Sequence, residues 1–248
     1  MASSKHYFIT GVSSGIGKAL ALRLLSQGHT VSGVARRADR LAEIAENNAH
    51  FTPIICDVGD KQAVQNAVLE AKEANGAIDV LIPNAGIYIP DKKAVIDIAS
   101  FESHMQVNYM ASVYCLAEIM PDMLARNSGH IALMASVAGY RGLPRSAAYG
   151  PSKAALINLA EALRFDLKDS AVKVQVICPG FVETEATSVN EFAMPDIISA
   201  EKAADEIING LAQETFEIAF PKRFARKMKW LKILSNDIYF KIVSAATK

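Results

Sequence analysis

The sequence predicts an α/β protein in which a parallel sheet is covered by helices on both faces. Three observations lead there. Short β-branched runs alternate with amphipathic stretches along most of the chain, and the runs are apolar throughout rather than at every second position. In addition, 51% of the 248 residues are apolar and 21% charged, which suits one sizeable core and does not suit a disordered chain.

Taken in order, Tyr7–Thr10 is expected as a strand, followed by a helix over Ile16–Ser26 with Leu20, Leu24 and Leu25 on one side. Thr30–Ala35 reads as a strand and Arg37–Asn47 as a helix. Phe51–Cys56 is the next strand, and the helix Asp60–Ala74 starts on Asp60 as N-cap. Ile78–Ile82 is a strand, and a long helix occupies roughly Phe101–Arg126. His130–Ala135, Ala147–Lys168 and Val172–Ile177 repeat the strand, helix, strand order. Ala200–Ala212 is helical by pattern and Phe216–Phe220 a last short strand. No repeat, low-complexity segment or linker divides the chain, so residues 1–248 are expected as a single domain.

Several classes are excluded. Cys56, Cys115 and Cys178 are odd in number and far apart, which fits neither a disulfide scaffold nor a metal site, and the five histidines are scattered. No apolar run reaches the length of a membrane span, and a strand begins too early for a signal peptide. A soluble, cytoplasmic protein is expected. The zero net charge hides an asymmetry: beyond Phe220 eight basic residues face one acid, giving a tail of +7 and leaving residues 1–220 at −7. The acidic body argues against nucleic acid as a partner.

The strongest local signal is Thr10-Gly11-Val12-Ser13-Ser14-Gly15-Ile16-Gly17, between the first strand and first helix. Glycines there permit a tight turn and let backbone approach a bound group, and a helix N-terminus favours an anion such as a pyrophosphate. Alone, such a turn is as often an ordinary βα connection. Its Gly-x-x-x-Gly-x-Gly spacing is not that of a nucleotide-hydrolysing P-loop. The second strand ends Gly33-Val34-Ala35-Arg36-Arg37. An acid at that end would bind a ribose 2′-hydroxyl, whereas two guanidinium groups suit a 2′-phosphate.

Tyr149 and Lys153 lie four apart in a helical stretch and share one face. A tyrosine ordinarily ionises near pH ~10, and a neighbouring ammonium favours the phenolate, making an acid/base group usable nearer neutrality. Ser136 closes the strand His130–Ala135, at the sheet end where open α/β sheets place ligands. Asn108 is a polar residue in an otherwise apolar helix, and a core amide bonded to backbone is the plainer reading of it.

In order and spacing, Thr10–Gly17, Asn84-Ala85-Gly86, Asn108, Ser136, Tyr149/Lys153 and Pro179-Gly180 resemble the short-chain dehydrogenases/reductases over roughly residues 5–220. The resemblance implies a doubly wound parallel sheet of about seven strands, a Rossmann fold, and carbonyl/alcohol chemistry linked to NADP(H) or, less favoured, NAD(H). It implies Tyr149 as proton donor, Lys153 as the group that lowers its pKa and bonds the nicotinamide ribose, Ser136 as the residue polarising the carbonyl, and Asn108 as holder of a relay water. It also implies cofactor contacts at Gly11, Ser13, Ser14, Gly15, Ile16 and Gly17, at Arg36 and Arg37, and at the adenine-side Asp57 and Val58. Asn84, Ala85 and Gly86 would line the cofactor, as would Pro179, Gly180, Val182 and Thr184, with Thr184 at the carboxamide.

Two departures stand out. The usual Asn-Asn-Ala-Gly is Pro83-Asn84-Ala85-Gly86 here, so one strand-end N–H is missing. The basic tail 221–248, with apolar residues at helical intervals, is the other. Packing of that tail on its own or a partner subunit is favoured over an interfacial membrane helix. Residues 181–198 match the family's substrate lid; they hold Glu183, Glu185, Glu191 and Asp196 and no basic residue, which disfavours an acidic substrate. Phe181, Phe192, Met194, Tyr140 and Leu143 are the candidates for an apolar cleft. Pairing through Phe101–Arg126 and Ala147–Lys168 would give a homo-oligomer, a dimer or tetramer. The expected function is reduction of a ketone or aldehyde with NADPH. The alternatives are NAD-dependent alcohol oxidation, a nucleotide-sugar isomerase or dehydratase, and a cofactor-sensing or membrane-recruited interaction protein with a vestigial site.

Overall fold

The computed structural model describes residues 4–91, 95–189 and 194–246. The strands are β1 (His6–Thr10), β2 (Thr30–Ala35), β3 (Phe51–Ile55), β4 (Val80–Ile82), β5 (Gly129–Met134), β6 (Val172–Pro179) and β7 (Glu217–Phe220). They form one sheet in the order β3-β2-β1-β4-β5-β6-β7, and every pairing is parallel. The chain winds outward from β1 to β3, then returns to the centre at β4 and winds the other way. The order reverses between β1 and β4, and a ligand crevice opens at the carboxyl ends of strands at such a point.

The inner strands β1, β2, β4, β5 and β6 bury both faces, so the sheet needs helices above and below, while the edge strands β3 and β7 are partly exposed. Helices α1 (Gly15–Ser26) and α2 (Ala38–Glu46) cover one side. There Leu20, Leu24 and Leu41 pack with Ile9, Val31 and Ile82. Helix α3 (Lys61–Asn75) covers the other side through Val64, Val68 and Ala71, against Phe8, Ile54 and Leu81. Asp60 caps α3 as expected: its carboxylate accepts from the N–H groups of Gln62 and Ala63 at 2.8 and 3.2 Å.

The long helix expected over Phe101–Arg126 is not continuous. It comprises α4 (Ile98–His104), a wide π turn at Met105–Met110 and α5 (Ala111–Ala125). Two side chains of the π turn bond outside the helix: Gln106 donates to the Gly59 carbonyl at 2.6 Å, and Asn108 bonds the Ile87 backbone. Helix α6 (Tyr149–Asp166) lies beside α5's side of the sheet, and α7 (Ala200–Leu211) packs with α1.

The tail forms two helices, α8 (Lys222–Ile233) and α9 (Asn236–Ala246), where helical intervals alone suggested one. Arg141 explains the break. Its guanidinium donates to the carbonyls of Leu231 and Leu234 at 2.9 and 2.8 Å, taking acceptors that a helix end leaves unpaired. The same guanidinium stacks 3.9 Å above the Tyr239 ring, whose hydroxyl donates to the Gly142 carbonyl at 2.5 Å. Ala225, Met228 and Tyr239 are buried by this packing.

Candidate active site

The glycine turn follows β1 at the switch point. Gly11 and Gly15 have φ of +75° and +54°, the left-handed region that glycine adopts without strain. Gly17 matters for space: a Cβ there would stand 2.3 Å from the Gly11 carbonyl oxygen. Ser14 precedes α1 without capping it, and its hydroxyl accepts from Arg37 instead, at 2.7 Å. The first-turn N–H groups thus keep their pull on an anion.

Gly17→Ala forces backbone against backbone. The expected result is a loss of about 1–3 kcal/mol of stability and weaker dinucleotide binding, read by thermal melting and by fluorescence titration.

Across the switch point, Asn84 ties β4's loop to the turn. Its amide donates to the Thr10 carbonyl at 2.8 Å, and the Ala85 N–H donates to the Thr10 hydroxyl at 2.9 Å. Pro83 therefore leaves the loop anchored, because the anchoring bonds start at the next residue.

Arg36 and Arg37 end β2 on the same side. Arg36 lies 3.9 Å from the Asp57 carboxylate, and both are exposed. Arg37 donates to Ser13 and Ser14 and pairs with Glu185 at 2.9 Å, which holds the Glu185 carboxyl below its usual range. An acid of the segment expected as a lid is thus bound to the arginine expected to meet a phosphate, a contact the sequence did not signal. That segment is tied at its base by a bridge between Val182 and Ile198, and Thr184 touches the space over Gly15.

Ser136 leaves the end of β5, Tyr149 and Lys153 share the inward face of α6's first turn, and the three converge. The Ser136 hydroxyl donates to the Pro179 carbonyl at 3.3 Å. Burial is the largest influence on the Tyr149 phenol and pushes its pKa up to about 12, while the nearby Ser136 hydroxyl pulls the other way. Lys153 is buried, donates to the Met134 carbonyl at 2.8 Å, and has its pKa pushed down to about 8 by desolvation. Its Nζ stands 5.8 Å from the Tyr149 ring centre. Burial thus disfavours the charged form of each group.

The Asn108 side chain is tied to the loop after β4. Its Oδ1 accepts from Ile87 N at 2.8 Å, and its Nδ2 donates to Ile87 O and to Ser152 Oγ at 3.1 and 2.9 Å. The amide thus makes the backbone bonds of the plainer sequence reading. Ser152 was missed, as were Tyr88 and the buried His104, whose rings meet Tyr149 edge-on with centres 5.0 and 6.2 Å away.

One cavity of about 1860 Å³ unites these parts, and every expected cofactor contact from Gly11 to Thr184, with Ser136, Tyr149 and Lys153, stands in its wall. It is long enough to run from the arginines to the tyrosine. The glycine cradle, the uncapped helix start and this wall fit a dinucleotide. Of the apolar candidates, Phe181 and Leu143 line the cavity; Tyr140 is buried with its hydroxyl on Glu217, and Met194 stands outside the wall. Phe192 and Glu191 lie outside the described residues. The wall is completed by residues no motif marked: Phe224, Met228 and Leu231 of α8 and Ile242 of α9.

Comparison with known proteins agrees with this geometry. The family profile described as short chain dehydrogenase matches residues 5–193. An uncharacterized oxidoreductase of Myxococcus xanthus is 30% identical over 235 residues, 93% of each chain. The 3-ketodihydrosphingosine reductase of Bos taurus is 31% identical over 230 residues, 85% of this chain and 69% of that one. Among solved structures, a short-chain dehydrogenase of Burkholderia cenocepacia in complex with NADP superposes with a TM-score of 0.85 at 23% identity, covering 97% of this chain and 98% of that one. A short-chain dehydrogenase/reductase of Burkholderia phymatum in complex with NAD gives 0.82 at 25% identity, covering 92% of each.

Proposed function

The chain belongs to the short-chain dehydrogenase/reductase family, and we propose that within it the protein reduces a ketone or aldehyde using NADPH. An oxidoreductase that acts on alcohol and carbonyl groups with a nicotinamide cofactor follows from membership. The direction, the 2′-phosphate and the residue roles are the proposal. The observation that carries it is the meeting of Ser136, Tyr149 and Lys153 in the wall of a cavity that also takes in Arg36 and Arg37.

Bound in that cavity, the nicotinamide would supply the hydride. The turn Gly11–Gly17 would hold the pyrophosphate through its N–H groups, Arg36 and Arg37 would take the 2′-phosphate, and Asp57 and Val58 would meet the adenine. Asn84, Ala85 and Gly86, with Pro179, Gly180, Val182 and Thr184, would line the rest of the cofactor. Ser136 donates to the carbonyl oxygen and polarises it. Tyr149, kept as a phenol by burial, gives that oxygen its proton. Lys153 stands close enough to stabilise the resulting phenolate and reaches the ribose. Asn108 acts by positioning, through Ile87 and Ser152.

Because Phe224, Met228, Leu231 and Ile242 give the wall an apolar stretch broken only by Lys227, and the segment 181–198 is acidic, a lipophilic carbonyl compound without an acidic group fits best. The bovine relative is named for reducing a keto group, which supports a ketone. We further propose that the whole chain acts as one unit and assembles as a homo-oligomer. Leu124 of α5 and Phe165 of α6 are exposed apolar side chains on the helices expected to pair, and light scattering tests this.

Lys153 gives a pH dependence. Its pKa of about 8 means the ammonium is present below that pH and lost above it. The kcat/KM for NADPH, which reports the free enzyme, should be level up to about pH 8 and fall beyond it. A profile level to pH 10, roughly the ordinary lysine range, contradicts the buried-lysine role. The function itself is tested by NADPH consumption against aldehydes, cyclic ketones, 3-oxoacyl esters and sugars. Turnover of the lipophilic ketones is expected; turnover of none contradicts it.

A further inference from the structure

The C-terminal helices take part in the cavity through Phe224, Lys227, Met228 and Leu231 of α8 and Ile242 of α9. The outer side of α8 carries Arg223, Arg226, Trp230 and Ile233 at positions that fall on one stripe of a helix, opposite the buried Ala225 and Met228. Trp230 is 67% exposed and Ile233 70%, and on α9 Phe240 is 62% exposed. Large apolar side chains left in water on two successive helices mark a contact surface.

The charge around them narrows the partner. Between Lys222 and Ala246 there are seven basic residues and one acid. Lys229 is held by Glu217, but among the described residues no ion pair holds Lys222, Arg223, Arg226, Lys227 or Lys241. A surface that mixes cations with tryptophan, isoleucine and phenylalanine matches an anionic bilayer: the cations meet headgroups and the apolar side chains enter the acyl boundary. A second copy meeting the same face would set two cationic hairpins against each other. Nucleic acid would leave the isoleucines without a partner.

The place of the hairpin adds a reason. Ile242 lines the cavity and is exposed, and so do Val95 and Ile96 on another part of the rim. The cavity mouth is therefore edged by apolar side chains that water does not favour.

We propose that α8 and α9 dock this protein on an anionic lipid bilayer, with the cavity mouth beside the lipid. The acidic body, −7 over residues 1–220, is repelled by the same surface, so contact is confined to the hairpin. Docking does not depend on turnover and can fail while the reductase reading stands.

Trp230 is the only tryptophan in the chain, so its emission reports this face alone. The intact protein is mixed with phosphatidylglycerol vesicles or with phosphatidylcholine vesicles. With phosphatidylglycerol at low salt, a blue shift and co-sedimentation are expected, weakening at least about tenfold in high salt as the attraction is screened. Phosphatidylcholine should give neither. The variant Trp230→Ser/Ile233→Ser/Phe240→Ser should lose co-sedimentation at least about tenfold and titrate with NADPH as the parent does. Should that variant not fold, Arg223→Gln/Arg226→Gln/Lys241→Gln should lose it from the charge side. Four results overturn the proposal: no binding of the intact protein to phosphatidylglycerol, equal binding to phosphatidylcholine, a blue shift produced by raising protein concentration without lipid, or either folded variant binding as the parent does.

Discussion

Tyr149→Phe should lower the rate of carbonyl reduction by about 10²–10⁴-fold, the range a positioned proton donor supplies, while NADPH binds as before. The substitution removes one oxygen and keeps the ring. The edge-on contacts with Tyr88 and His104 hold that ring, so the site should keep its shape. What is lost is a buried hydroxyl whose pKa is pushed up to about 12. Lys153→Ala should behave differently. Its ammonium is placed both to stabilise the phenolate and to reach the ribose, so turnover and cofactor affinity should fall together. Steady-state rates and cofactor titration on the two variants separate these effects. Near-normal turnover by Tyr149→Phe on a good substrate would assign the acid elsewhere.

The second large effect is expected in cofactor choice. NADPH should bind at least about tenfold more tightly than NADH, since hydrogen bonds to charged groups contribute roughly 1.5–3 kcal/mol. The arginines are already engaged, Arg36 with Asp57 and Arg37 with Glu185. Both ion pairs are exposed, and exposed pairs contribute about 0–1 kcal/mol, so a doubly charged phosphate displaces or outweighs them. Arg36→Asp should narrow or invert the preference, because it replaces an attraction with a repulsion beside Asp57. Fluorescence titration decides it. An unmodified protein that binds NADH as tightly as NADPH contradicts the assignment.

Much of this site could be read before the fold was seen, for a physical reason. The glycine turn, Ser136 at a strand end and the Tyr149/Lys153 pair are local patterns: spacing along a turn or one helix face fixes their relation. The strand alternation did the same for the sheet, and a capping carboxylate at Asp60 marked the start of α3. What could not be read depends on partners far along the chain. The π turn at Met105–Met110 carries no glycine or proline; Gly59 and Ile87 supply the bonds made by its side chains. The break between α8 and α9 is set by Arg141, about ninety residues upstream. Burial is also a whole-fold property. It pushes the pKa of Tyr149 up and that of Lys153 down, shifts that their spacing along one helix does not carry. The tail's role in the cavity wall was implicit in its amphipathic spacing, but the surface it covers was not.

The central claim is direct transfer of hydride from NADPH to a carbonyl carbon with Tyr149 giving the proton, and deuterium labelling tests it most directly. NADPH deuterated at the transferring position is incubated with the best ketone of the substrate panel, and the alcohol is weighed by mass spectrometry. One deuterium on the carbinol carbon is expected with the unmodified protein, and no labelled alcohol above background with Tyr149→Phe. Oxidation of NADPH with unlabelled alcohol, or equal labelling by both proteins, would contradict it.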